Sequence, residues 1–286
     1  MNEISHWPDE HLAQLSAAVA QIAASVGQRI LSLQQSGSFD VAHKQDSSPV
    51  TSADMMASDY ISEQLRKLQP QLPVLTEESL VPWAVRRDWK SYWLVDPLDG
   101  TQEFIYGSGD FAVSIALVHY DLPILGVIYW PAQDALYSAA QGQGAWRQQH
   151  GKHENISVRR LNDPKEDDLK VALSRRQPTE RILSKMSAGN RNVEHVYTGS
   201  CALKSCLVAE GSADCFVRVG ETGEWDTAAA QILVEQAGGS LVDESFQPLR
   251  YNRTALPKNP NFLVLGDPRI DWPLILPQGL SSESST

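Results

Sequence analysis

Apolar residues near the start of the chain recur at every third or fourth position, which is the spacing of one buried helical face. Asp9 offers a cap for this first predicted helix and Gly37 a stop. A polar loop through 44–49 leads to a second helical pattern, and Pro70 is its predicted end. The apolar positions of the two helices are Leu12, Leu15, Val19, Ile22, Val26, Ile30 and Leu33, then Met56, Tyr60, Ile61, Leu65 and Leu68.

The pattern changes after Ser91, where short β-rich runs alternate with Gly, Pro and Asp turns. These runs predict consecutive strands of a sheet. The polar stretch 150–168 has no clear period, and we interpret it as a connection between two lobes. Beyond it, strand-like and helical patterns alternate, which favours a layered α/β lobe. We therefore predict an N-terminal α+β lobe over residues 1–155 and a C-terminal α/β lobe over residues 156–286.

Charge narrows the range of partners for this chain of 286 residues. It carries 24 Lys and Arg against 35 Asp and Glu, a formal charge of -11 that repels phosphate backbones, so nucleic acid polymers are poor partners. No apolar stretch reaches the roughly 20 residues of a membrane span, and no secretory signal is visible. We expect a cytoplasmic protein, with attachment to the inner face of the cell membrane as an open alternative. The sequence does not indicate an oligomeric state.

The segment Trp93–Thr101 is an apolar strand that runs into two aspartates, Asp96 and Asp99. Pro97 fixes its own φ and Gly100 allows a tight turn, so the next residues can open a helix whose free amides bind an anion. Two carboxylates three positions apart repel each other unless a hard cation lies between them, and oxygen ligands alone favour Mg²⁺. Taken alone, the segment also fits an Asp-rich turn with capping roles.

Two further acidic positions add to this segment. Glu77 and Glu78 end a strand-like run, where adjacent side chains face opposite ways, so one of the pair can reach a metal. Asp226 precedes an alanine-rich helix, for which it is a natural N-cap, and the small residues that follow allow close packing. Each feature alone fits a solvated surface or a cap. Their combination indicates a metal centre.

The blocks Glu77-Glu78, 96–101 and Trp225-Asp226 resemble, in order and spacing, those of the inositol monophosphatase superfamily. This superfamily contains lithium-sensitive, magnesium-dependent phosphatases, among them fructose bisphosphatases and bisphosphate nucleotidases. The resemblance spans most of the chain and implies an α/β protein with the layered αβαβα sandwich of that superfamily. It also implies two or three bound Mg²⁺ ions. The metal ligands that it implies are Glu77, Asp96, the carbonyl of Leu98, Asp99 and Asp226.

The resemblance also assigns the reacting groups. It implies that Gly100 and Thr101 hold the phosphate through backbone amides, and that Asp54, hydrogen-bonded to the Thr101 hydroxyl, helps to activate the attacking water. On sequence alone, Asp54 fits an ordinary helix acid or N-cap. Clustered cations can lower the pKa of a water, neutralise the phosphate and stabilise the leaving oxygen, so no protein nucleophile is needed. Four of the implied metal ligands also count as substrate contacts: Glu77, Leu98, Asp99 and Asp226.

Within the superfamily, the chain looks most like the bacterial 3′(2′),5′-bisphosphate nucleotidases. That likeness implies hydrolysis of 3′(2′)-phosphoadenosine 5′-phosphate to AMP and phosphate. A second phosphate needs an anion site away from the metals, and Ser200 with Lys204, on one helical face, could supply a hydroxyl and a cation. Arg218 is another candidate. A solvated helix residue fits Lys204 equally well, and a strand-edge charge fits Arg218. The likeness rests on the blocks 44–51, 96–104, 199–211 and 221–226.

Two other functions stay open at this point. An inositol-phosphate or histidinol-phosphate phosphatase would share the acidic residues and differ only in the pocket from Ser174 to Arg218. A non-catalytic regulator that keeps the fold and binds RNA or a protein partner belongs to a different class. The complete set of acids and the net charge of -11 argue against the regulator.

Overall fold

A computed structural model describes residues 7–44 and 48–276, so residues 45–47 of the predicted polar loop lie outside the described part. The helices are α1 (Asp9–Ser36), α2 (Ser52–Leu65), α3 (Trp83–Arg86), α4 (Thr101–Ile105), α5 (Glu180–Leu183), α6 (Cys201–Ala209), α7 (Ala228–Gln236) and α8 (Trp272–Ile275). The strands are β1 (Val41–His43), β2 (Pro49–Thr51), β3 (Val74–Thr76), β4 (Ser91–Asp99), β5 (Ala112–His119), β6 (Leu122–Trp130), β7 (Ala135–Ala140), β8 (Ala145–Gln149), β9 (Lys152–Ile156), β10 (Leu169–Ser174), β11 (Val193–Thr198), β12 (Cys215–Arg218), β13 (Thr222–Gly223), β14 (Ser240–Asp243), β15 (Lys258–Asn259) and β16 (Phe262–Leu265).

Two large sheets organise these elements. The first has seven strands in the order β3-β4-β5-β6-β7-β8-β9, and its neighbours are antiparallel except for the parallel pair β3 and β4. The second has five strands in the order β11-β10-β12-β16-β14, parallel as far as β12 and antiparallel beyond it. Two-stranded pairs, β1 with β2 and β13 with β15, complete the strand pairing of the described residues.

Alternating side chains of β4 show how the layers stack. Trp93 and Val95 belong to the core under α1 and α2, whereas Tyr92 and Leu94 face α6 and α7 on the other side. The five-stranded sheet covers the far side of α6 and α7, and its own outer face packs against α5 and α8, for example at Trp272. The order is therefore αβαβα, the predicted fold class.

The first two helices follow the predicted patterns with differences at their ends. Pro8 is the N-cap of α1, so Asp9 is not the cap but an acid of the first turn, where the helix dipole favours it. Gly37 ends α1 in the left-handed conformation, as predicted. The second helix already ends at Leu65, where the chain tightens into turns before Pro70. No helix in the described part of the chain is long and apolar enough to cross a membrane.

The interpretation of residues 150–168 as a connection is wrong for part of that stretch. Lys152–Ile156 forms β9, the edge strand of the seven-stranded sheet, which pairs with β8. All of its side chains except that of Ile156 are exposed, so the alternation that marks a half-buried strand is missing from the sequence. The division of the chain into two lobes near residue 155 stays a prediction.

The central helix α7 lies close against β6, and Gly126 allows this approach. A Cβ atom at Gly126 would come within 2.6 Å of the carbonyl oxygen of Ala229. The helix starts two residues after Asp226, so the packing of α7 against the sheet also sets the position of Asp226. The predicted small residues after Asp226 are buried against the first sheet, as close packing requires.

Candidate active site

Three carboxylates meet where β4 ends and α7 begins. One oxygen of each of Asp96, Asp99 and Asp226 lies within 4.8 Å of the others, and the first two side chains are buried. Asp96 Oδ1 accepts the backbone N–H of Leu98 at 2.9 Å, and Asp226 Oδ2 accepts that of Gly223 at 2.6 Å. Asp226 lies in a 3₁₀ turn before α7, and Thr227 takes the cap position, so Asp226 is not the N-cap of that helix.

Mutual repulsion makes this cluster a site for a cation. Burial, followed by the charges of the neighbouring acids, raises the pKa of Asp96 and of Asp226 well above the ordinary value. A divalent cation would remove this repulsion, and hard ions such as Mg²⁺ prefer oxygen donors. The donor chemistry of the cluster therefore fits the predicted type of ion.

Glu77 lies on the wall of the same cleft, paired with a lysine that sequence reasoning missed. Lys44 Nζ donates to Glu77 Oε1 at 2.6 Å and to Glu78 Oε1 at 2.8 Å. The Glu78 side chain is nearly buried, so it does not face the surroundings as the alternation predicted. Burial raises the pKa of Glu77 to about 6, although the Lys44 charge opposes this rise. Glu77 is not among the three carboxylates that meet, and its role as a ligand stays a prediction.

The corner between β4 and α4 has the predicted form. Gly100, with φ of 101°, turns the chain, and α4 begins at Thr101. Thr101 Oγ1 donates to Asp54 Oδ1 at 3.0 Å, the hydrogen bond that the resemblance implies. The other Asp54 oxygen accepts the N–H of Thr51 at 2.7 Å, which completes a capping box for α2. Asp54 therefore has both the capping role and the contact with Thr101.

The start of α6 holds Asp99 in place. Asp99 Oδ2 accepts the hydroxyl of Ser200 and the backbone N–H of Ala202, the latter at 2.6 Å. The Ser200 oxygen also caps α6 by accepting the N–H of Leu203 at 3.1 Å. Ser200 has φ of 28°, a strained conformation for a residue with a side chain. Ser200 thus positions one acid of the cluster, and its contact with a second phosphate stays a prediction.

The two predicted cations, Lys204 and Arg218, line the same cleft as the acids. Lys204 is 5% exposed; its ammonium group donates to two carbonyls of the preceding turn and lies 5.0 Å from the ring centroid of Phe216. Lys204 is therefore not a solvated helix residue. Arg218 donates to the Glu221 carbonyl at 3.1 Å, while its buried Nε has no hydrogen-bond partner among the described residues.

All the predicted site residues except Asp54, Asp96 and Leu98 line one cleft of about 510 Å³. It also includes Glu103 and Arg176, which the predicted site left out. Arg176 reaches the site from the end of β10, with its guanidinium 4.0 Å from the ring centroid of Tyr106. The signal for Glu103 was its place in the block 96–104, directly after Gly100 and Thr101, which form the predicted phosphate loop. Arg176 follows a strand-like run and could have been expected in the pocket, but paired arginines in a polar loop are more often exposed, so the prediction left it out.

The five-layer sandwich, with acids at the end of one strand and the start of one helix, defines a class of protein. The sequence model of the inositol monophosphatase family matches residues 11–261. The chain belongs to this family of magnesium-dependent phosphatases.

Among individual proteins, the chain is similar to several that are named CysQ. It is 41% identical over 250 residues to the 3′(2′),5′-bisphosphate nucleotidase CysQ of Aggregatibacter actinomycetemcomitans, covering 86% of this chain and 90% of that protein. The identity to the CysQ of Escherichia coli K12 is 41% over 248 residues, covering 86% of this chain and 97% of that protein. The crystal structure of CysQ from Bacteroides thetaiotaomicron superimposes with a TM-score of 0.75 at 35% identity, covering 88% of this chain and 97% of that one.

Proposed function

We propose that the protein is a Mg²⁺-dependent phosphomonoesterase that hydrolyses 3′(2′)-phosphoadenosine 5′-phosphate to AMP and phosphate. The observation that carries this proposal is one cleft that combines carboxylates suited to metal ions with two cations, Lys204 and Arg218. A nucleoside bisphosphate has two phosphate groups, one for the metal ions and one for the cations. The names of the CysQ relatives support the same substrate.

The acids of the site would hold two or three Mg²⁺ ions. Asp96, Asp99 and Asp226 are the proposed central ligands, with Glu77 and the Leu98 carbonyl as further ones. When bound, the ions neutralise the phosphate and lower the pKa of a water. The chain itself keeps Asp99 oriented through the start of α6, so this ligand need not reorganise when an ion arrives.

Asp54 and Thr101 form the proposed group that orients the attacking water. The Thr101 hydroxyl donates its hydrogen bond to Asp54, so the lone pairs of its oxygen are left to accept a hydrogen bond from water. Asp54 is held by Thr51 and cannot swing away from this contact. The amides of Gly100 and Thr101, at the start of α4, are the proposed donors to the phosphate oxygens.

We propose that Lys204 and Arg218 bind the second phosphate, with Ser200 beside them. The unpartnered Nε of Arg218 is a donor without an acceptor among the described residues, and a buried donor of this kind is costly. A phosphate oxygen would satisfy it. The ammonium group of Lys204 donates two hydrogen bonds to backbone carbonyls, which leaves its third N–H for a ligand.

Replacing Arg218 by glutamine tests the bisphosphate proposal. We expect kcat/KM for 3′-phosphoadenosine 5′-phosphate to fall about 10- to 100-fold, since a hydrogen bond to a charged group contributes roughly 1.5–3 kcal/mol. The value for 3′-AMP, which lacks the second phosphate, should stay within about twofold. The matched control is Arg253→Gln, which removes an exposed arginine that pairs with Asp121. An equal fall for both substrates in Arg218→Gln would contradict the proposal.

A further inference from the structure

Glu103 lies in the first turn of α4, three residues after Gly100, and lines the cleft together with Thr101 and Gln102. The residue is half-buried. Its stem packs against Gly199, where a Cβ atom would collide with the Cγ of Glu103. The direction of the side chain is therefore set by packing, unlike that of a surface glutamate.

No other residue that the structure describes donates a hydrogen bond to the carboxylate of Glu103 or forms a salt bridge with it, although its own backbone N–H and the charges of Lys204 and Arg176 act on it. The other acids that line the cleft near the cluster have such partners: Glu77 binds Lys44, Asp99 binds Ser200, and Asp226 accepts a backbone N–H. Glu103 also lies outside the group of three carboxylates that could share a metal ion. Its carboxylate thus keeps acceptor capacity that neither another described residue nor the carboxylate cluster uses.

An ionised carboxylate only accepts hydrogen bonds, and it repels a phosphate group. Beside a phosphate site, such a group favours a ligand only if the ligand brings a donor. On a nucleoside bisphosphate whose reacting phosphate lies at Gly100 and Thr101, the donor next to that phosphate is the neighbouring ribose hydroxyl. The amino group of the base is farther along the molecule.

We propose that Glu103 is a specificity-determining residue that accepts a hydrogen bond from the ribose hydroxyl adjacent to the cleaved phosphate. This inference rests on the proposed function, because it takes the nucleotide as substrate. The contact gives the protein a preference for ribonucleotide over deoxyribonucleotide substrates. It places sugar recognition on the same short helix that begins at the phosphate loop.

The test compares kcat/KM for 3′-phosphoadenosine 5′-phosphate and for its 2′-deoxy analogue. We expect the wild type to prefer the ribose form about 10- to 100-fold, which is the range for a hydrogen bond to a charged group. In Glu103→Ala the two values should agree within about twofold, and Glu103→Gln, which keeps a neutral acceptor, should fall between. Glu63→Gln, which changes an exposed acid on α2, is the control that should keep the wild-type ratio.

Three results would overturn the inference. A wild type that hydrolyses both nucleotides equally well lacks the proposed contact. If the ratio of the two kcat/KM values is unchanged in both Glu103 variants, another residue makes the contact with the ribose hydroxyl. A higher Mg²⁺ requirement in Glu103→Gln at an unchanged ratio would make Glu103 part of the metal centre. If the wild type releases phosphate from neither nucleotide, the proposed function fails as well, and this outcome is distinguishable from the other three.

Discussion

Replacement of Asp226 by asparagine is expected to lower the rate of phosphate release at least about 10³-fold. A positioned divalent cation supplies several kcal/mol of transition-state stabilisation, and roughly 4 kcal/mol corresponds to a factor of 10³. Asparagine keeps the size of the side chain and an acceptor for the N–H of Gly223. The loss would therefore come from the charge. Asp96→Asn should behave in the same way, and single-turnover rates at saturating Mg²⁺ measure both.

The same variant should be more stable than the wild type when metal is removed. Burial and the neighbouring acids raise the pKa of Asp226, so the native state binds a proton that the unfolded chain releases. The free energy of unfolding therefore falls as the pH rises from the ordinary aspartate pKa of 3.8 towards the raised pKa of Asp226. At pH values above the raised pKa, the free energy of unfolding remains lower. Asparagine removes this penalty.

Thermal unfolding in EDTA at neutral pH measures this gain in stability. The midpoint of Asp226→Asn should lie above that of the wild type, and added Mg²⁺ should raise the wild-type midpoint but not that of the variant. A near-normal rate in Asp226→Asn or Asp96→Asn would contradict the assignment of the cluster as the metal centre. A variant that is inactive and also less stable in EDTA would indicate a structural role instead.

Thr101→Val is expected to lower kcat roughly 10²-fold, the lower end of the range for a group that acts on a proton in the transition state. Valine has the shape of threonine but cannot donate to Asp54 or accept a hydrogen from water. Because the metal ligands are unchanged, the Mg²⁺ concentration for half-maximal rate should stay constant. Initial rates across Mg²⁺ and substrate concentrations separate these quantities.

The pH profile of the same variant gives a second readout. Burial raises the pKa of Asp54, and the hydrogen bonds from Thr51 and Thr101 oppose this rise. Without the Thr101 hydroxyl, the pKa of Asp54 rises further, so the acid limb of the kcat profile should move to higher pH in the variant. Thr101→Ser keeps the hydroxyl and is the matched control, with a rate near that of the wild type. Equal losses in the valine and serine variants would show that the methyl group, and not the hydroxyl, matters.

The parts of the site that could be predicted are those whose signals are local in the sequence. The corner at 96–101 combines an apolar run, a proline and a glycine within a few residues, and the structure has the predicted turn at Gly100. The periodic apolar positions of α1 likewise predicted a helix that the structure contains. The acidic residues indicated a metal centre only through the order and spacing of their blocks along the chain, because each block alone fitted a cap or a solvated surface.

What could not be predicted depends on contacts between distant residues. Asp99 and Ser200 are hydrogen-bonded across about a hundred positions of the chain, and Lys44 reaches Glu77 from the loop after β1. Neither pair produces a periodic or compositional signal in the sequence. The edge strand β9 was missed for another reason, since both of its faces are largely exposed and no hydrophobic alternation results.

The fold explains why the acids meet. The end of β4 in the first sheet faces the helical layer, and α6 and α7 in that layer bring Ser200 and Asp226 to it. The second sheet fixes those helices from behind, and Arg218 enters the cleft from its strand β12. The proposed metal ligands and the proposed site for a second phosphate are therefore joined through the layer between the two sheets.

Phosphate release from four substrates tests the central claim most directly: 3′-phosphoadenosine 5′-phosphate, inositol 1-phosphate, fructose 1,6-bisphosphate and histidinol phosphate. Each is assayed with Mg²⁺, with EDTA and with added Li⁺. The account predicts release that depends on Mg²⁺, falls with Li⁺ and is fastest with the adenosine bisphosphate. Preference for another ester would contradict the pocket assignment, and release in EDTA would contradict the metal centre. Absence of release from all four would contradict the proposed enzyme and favour a non-catalytic regulator.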